Sequence, residues 1–178
     1  MSNVTAAKMK SRARSIFSNA QIYDRAARLL NIVGASDPAM LLPSIVNAAL
    51  SLELYFKSLY ALDRGAEFKV NGRHSHDFAA LFEELHEPTK QHLLTKFNAA
   101  ISARTADDIR MIESSLKMVV PKDLKTNLIH WASLFTDLRY ADYFIEKNKG
   151  AQKTIMFFPE IRDSVYTTII EIESTWKS

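Results

Sequence analysis

The sequence predicts an all-α fold, a bundle of helices, and three observations carry that prediction. Glycine and proline are scarce, four and five in 178 residues, and they fall where helices should start or stop. Apolar residues recur at spacings of three and four along most of the chain. No stretch keeps the two-residue alternation of a strand, and the apolar runs at 119–120 and 155–158 are too short and isolated to build a sheet.

Each element follows from its punctuation. A first helix is expected from about Thr5 to Val33, ended by Gly34. Asp37 followed by Pro38 reads as an N-cap with proline in the first turn of a second helix that runs to Asp63 and closes at Arg64-Gly65. Pro43 either moves its start towards Leu42 or kinks its first turn. Residues 65–75 hold two glycines and an Asn-Gly pair and read as a loop. A short helix from His76 to Leu85 follows, and Glu87-Pro88 breaks it. Another runs from Thr89 to Ala103, and one capped by Asp107 covers Asp108 to Met118. Pro121 opens a long helix to Lys147, and Pro159 begins the last, to Trp176. The pattern is an up-and-down bundle of four main helices with shorter accessory ones, one domain over residues 1–178.

Composition narrows the function classes. With no cysteine there is no disulfide, thiolate metal site, iron–sulfur cluster or cysteine nucleophile. The opening MSNVTAAKMK lacks the apolar core of a secretory signal, and no run reads as the ~18 apolar residues of a membrane span. A cytoplasmic protein without membrane contact is the expectation. Net charge is +3, but Lys8, Lys10, Arg12, Arg14, Arg25 and Arg28 crowd the first helix against a single acid, Asp24. Such a helix suits phosphate, and it also fits an ordinary solvated face.

A helical wheel of the second helix gives the sharpest local reading. Leu42, Ile45, Val46, Ala49, Leu52, Phe56, Leu59 and Tyr60 form one apolar arc, with Asn47, Ser51 and Ser58 opposite. Glu53 falls inside the arc, and Lys57 follows it in the favourable i,i+4 order. A carboxylate facing a core needs a partner. The long helix repeats the motif: Leu124, Leu128, Trp131, Phe135 and Leu138 make a stripe, and Arg139 and Asp142 lie on or beside it. Arg139, with its bidentate fork, is the expected partner of Glu53 across the bundle, near Lys57 and Asp142. Such a cluster either fixes helix register or lines a ligand cleft.

Histidine offers little metal chemistry. His74, His76 and Asp77 lie close together but lack a further ligand at matching spacing, and His76-Asp77 reads better as a helix cap. No metal or other cofactor is expected. Gly-rich phosphate loops, Gly-x-Ser-x-Gly and His-Glu-x-x-His are all absent.

The stretch from Ala48 to Tyr60 with Glu53-x-x-x-Lys57, then Arg64-Gly65, then His76-Asp77-Phe78-Ala79-Ala80-Leu81-Phe82, resembles HEPN domains, and the segment from Phe135 to Tyr140 is similar to that family's arginine-tyrosine helix. The resemblance implies a bundle of four main helices, often dimeric and commonly bacterial or archaeal. Such domains bind or cut RNA, or accompany nucleotidyltransferases in toxin–antitoxin and defence systems. Ribonuclease members carry Arg-x4–6-His; here Arg139 is followed by Phe144, Ile145 and Glu146 at those positions, and no other arginine precedes a histidine at that spacing. The expected function is therefore a non-catalytic module that binds RNA, a nucleotide or a partner protein, with a homodimer as its expected state. The alternatives are a ribonuclease with an altered site, using Arg139 with His76 or His130, and a structural adaptor.

Overall fold

The computed structural model describes residues 3–69, 76–116, 119–138 and 157–174, and these form an all-helical bundle. Helix α1 spans Asn3–Gly34. A 3₁₀ turn at Pro38–Met40, capped by the Asp37 side chain, leads into α2 at Leu41–Arg64. Then come α3 at Phe78–Glu83, α4 at Glu87–Ser102, α5 at Ala106–Leu116, α6 at Leu124–Leu138 and α7 at Phe158–Ser174.

Several boundaries differ from the expected ones for local reasons. Pro38 opens a 3₁₀ turn of its own, and Pro43 sits in the first turn of α2, where its missing N–H has no helical partner to lose. Pro88 lies in the first turn of α4, so Glu87-Pro88 starts that helix where a break was expected. The cap of α5 is Thr105, not Asp107: its hydroxyl accepts from Asp108 N–H, while the Asp108 carboxylate accepts from Thr105 N–H. Pro121 likewise gives way to Asp123, whose side chain accepts from Thr126 N–H at the head of α6. Asp77 caps α3 as expected, through Ala80 N–H at 3.0 Å. Gly65 ends α2 with φ 64°, the left-handed conformation that favours glycine.

The central helix departs most from its wheel. Ser51 and Ser58, expected on a polar side, are fully buried. They belong to a seam of small residues against α1. Ser58 Oγ donates to Ala13 C=O and Ser44 Oγ to Ala27 C=O, each at 2.9 Å, with Ser51 and Ala20 buried midway. Ala13, Ala20 and Ala27 on one helix face Ser44, Ser51 and Ser58 on the other, each set at seven-residue spacing in antiparallel register. Side chains this small let the two backbones approach closely, and the hydroxyls are satisfied by carbonyls. Gly34 extends the approach, since a Cβ there would meet Leu41 Cδ2 at 2.5 Å.

The opposite face of α2 supplies Leu52, Phe56 and Leu59 to a core shared with Phe78 and Leu81 of α3, Leu93 and Phe97 of α4, Leu124, Leu128 and Trp131 of α6, and Ile161, Val165 and Ile169 of α7. Thus α2 is covered on two sides, which explains its apolar character all round. Contrary to the expectation that no run resembles a span, the helical stretch Pro38–Arg64 is long and apolar enough by composition to cross a membrane, with a mean hydropathy of 1.5 over an 18-residue window. In this bundle the same property serves burial between two layers. Phe157 enters α7 with φ 58° and is held by core packing, edge-on to Phe97 and beneath Arg104.

Candidate functional site

Two buried carboxylates organise the polar chemistry of the bundle. The first is Glu53, where the sequence places one. Its side chain is 3% exposed, and Oε1 receives both Lys57 Nζ, one turn along α2, and His76 Nδ1 at 2.7 Å from the approach to α3. Lys57 is half-buried and His76 is more open. The other oxygen, Oε2, is buried and has no hydrogen-bond partner among the described residues. A carboxylate on Nδ1 orients an imidazole, in structural and in acid–base histidines alike.

Asp77 stands beside His76 but spends its carboxylate on the α3 cap. Arg139 and Asp142, the nominated partners across the bundle, lie outside the described residues, as does His74. The described partners of Glu53 are therefore Lys57 and His76, two residues of the same predicted cluster. His130 lies on α6 with a buried Nδ1 that has no partner among the described residues. His86 bonds Asp63, and His92 bonds Glu171. No group of three metal-ligating side chains occurs among the described residues.

The six basic residues of α1 do not share one face. Arg12 turns to the end of α2 and pairs with Glu67 at 2.7 Å, near Lys57. Arg14 pairs with Glu173 of α7 at 2.5 Å. Arg28 pairs with Asp24, and Arg25 and Arg28 line a cleft between α1 and α7. Lys8 and Lys10 are exposed nearer the start of the helix. Three of these six charges are thus engaged in ion pairs, Arg12 with the segment after α2, Arg14 with α7 and Arg28 within α1.

That cleft holds the second carboxylate, Asp24, which sequence reasoning passed over as a lone acid. Its side chain is 6% exposed, with Arg28 Nη2 on Oδ2 at 2.9 Å and Arg162 Nη1 on Oδ1 at 3.4 Å. Arg162 also grips Asp163 through Nε at 2.8 Å and Nη2 at 2.7 Å, and lies 5.7 Å from the centre of the Phe158 ring. Burial works against its charge, but the carboxylates of Asp163 and Asp24 outweigh it and raise its pKa. Tyr55 and Tyr166 meet edge-on at the cleft wall, 6.2 Å between ring centres. Burial, reinforced by Asp24, pushes the Tyr55 phenol well above its ordinary value, so it stays a neutral O–H. The cleft encloses about 660 Å³.

A signal for this site was present. Asp24 occupies the same face of α1 as Ala20 and Ala27, within the seven-residue pattern of small residues, so its burial follows from recognising that seam. Arg162 adjoins Ile161 at the head of the stripe Ile161, Val165, Ile169. No protein-family model matches the chain, and neither a curated protein nor a solved structure does.

Proposed function

We propose that this protein is a HEPN-like helical module that binds RNA or a nucleotide without cutting it, and that the α1–α7 cleft is where it binds. The observation that carries the reading is the meeting of Arg25 and Arg28 of the basic helix with Arg162 of α7 around one cleft. Charge on one helix can be mere solvation; guanidiniums from two helices around a cavity are an arrangement suited to an anion. The Glu53–Lys57–His76 cluster adds to the likeness with HEPN domains and in this reading orders the junction between α2 and α3. A cytoplasmic setting in a toxin–antitoxin or defence system accompanies the proposal.

The test is a fluorescence titration with short single-stranded RNAs at rising salt. Binding should weaken steeply, and the double variant Arg25→Ala, Arg28→Ala should flatten the log–log salt slope by roughly 1–2. Absence of binding at low salt would remove the reading.

A second reading, an adaptor that docks a protein, is favoured by a separate observation. Ile22, Leu29, Ile32, Val33, Leu41 and Leu42 are exposed around the α1–α2 hairpin, Ile32 by 70%. Apolar surface gathered this way marks contact with another macromolecule. A second copy of the chain or a nucleotidyltransferase would fit this proposal, and a stable heteromer free of nucleic acid would decide for it.

A further inference from the structure

We infer that the α1–α7 cleft recognises a terminal phosphate monoester, carried either by a free nucleotide or by a phosphorylated RNA end. This deepens the RNA-and-nucleotide reading and rests on it. The sign of the cleft comes first. Arg25, Arg28 and Arg162 line it against two carboxylates, Asp24 and Asp163, which leaves a net positive site. Asp24 does not face a ligand as a bare anion, because each of its oxygens is already engaged by a guanidinium. Its part is positioning: one buried carboxylate holds the guanidiniums of Arg28 and Arg162 side by side.

Arg162 is the most fixed of the three. Its side chain is 15% exposed, tied to two carboxylates and set over Phe158. A guanidinium held in advance loses little freedom when it binds an anion. A phosphate monoester near neutral pH brings close to two charges and three terminal oxygens, whereas an internal diester brings one charge and two free oxygens. Converging guanidiniums therefore favour the end of a nucleotide over the middle of a strand.

The remaining walls suit what is attached to that phosphate. Tyr166, Ile22 and Leu29 offer apolar and aromatic surface beside the charges, and the volume, about 660 Å³, lies in the range of small-molecule pockets. The Tyr55 hydroxyl, at the wall, supplies a neutral donor.

The experiment compares adenosine monophosphate with adenosine by calorimetry, and hexauridylate with and without a terminal phosphate by fluorescence anisotropy. Adenosine monophosphate binding about tenfold more tightly than adenosine identifies the free nucleotide; the same ratio between the hexamers identifies the RNA end. The exposed Arg25→Ala should collapse whichever ratio is seen without lowering the melting temperature, and Arg12→Ala, on the other side of α1, should leave it intact. Asp24→Asn should shrink the ratio even in protein that remains folded by circular dichroism, and Asp24→Glu should restore part of it, which a purely structural carboxylate would not do. Phosphorylated and unphosphorylated probes that bind equally overturn this inference and leave the RNA reading standing. Failure of every RNA and nucleotide to bind overturns both.

Discussion

Glu53 and Asp24 are two solutions to one problem. Each is a carboxylate of 6% exposure or less on a core-facing position of a long helix, each takes a basic residue one turn later, and each recruits a second partner from a distant segment. Glu53 uses Lys57 and His76, both on one oxygen, and leaves the other buried without a partner among the described residues. Asp24 uses two arginines, one per oxygen, and opens on a cleft. The difference teaches that burial of a charge does not by itself reveal its role. Around Glu53 the donors converge on one oxygen of the acid; around Asp24 each oxygen holds a separate guanidinium, and both of those arginines line a cleft.

The comparison breaks most visibly if Lys57 is removed. Lys57→Met leaves Glu53 buried with His76 as its described partner, and breaking a buried pair from one side costs about 3 kcal/mol. For a chain of this size that is a fall of roughly 6–12 °C in melting temperature, measurable by calorimetry. The equivalent change at the other centre should be much milder. Arg28 is 59% exposed, and Asp24 keeps Arg162 when it is lost, so Arg28→Ala should cost about 0.5–1 kcal/mol in a urea titration. Equal losses would show that Arg162 supports Asp24 no better than His76 supports Glu53, against what the geometry indicates.

The smallest effect comes from a surface tie that serves as the control for both. Glu171 accepts from Lys96 at 2.8 Å and from His92 at 2.5 Å, and these bonds hold its carboxyl below the ordinary value of 4.5. A folded value below the unfolded one stabilises fully above the ordinary value and is lost as pH falls through the folded value. Between about pH 5 and 3 the wild type should therefore lose stability more steeply than Glu171→Gln. The change in slope should be slight, because the pair is half exposed and screened.

Much of the bundle was legible in the letters. Scarce glycine and proline located the helices, Asp37 and Asp77 were read as caps, and the wheel found Glu53 inside the core. What the wheel misread was Ser51 and Ser58. Hydropathy scores a serine as polar, but in a seam where each hydroxyl reaches a neighbouring carbonyl or its own helix the residue acts as a small side chain that permits close approach. Asp24 reads in sequence only as the single acid of a basic helix; its burial follows from the packing of the Ala20 and Ala27 face of α1.

The helical class, the rough placing of the helices and the charge inventory are local properties of the sequence, because capping, propensity and periodicity act over four or five residues. Tertiary structure alone decided which charges meet. Arg162 lies 138 residues from Asp24, and Glu173 lies 159 from Arg14; no local rule links residues so far apart. It is packing, set by the alanine–serine seam and the shared core, that divides the arginines of one basic helix between Glu67 just past α2, Glu173 of α7 and a cleft.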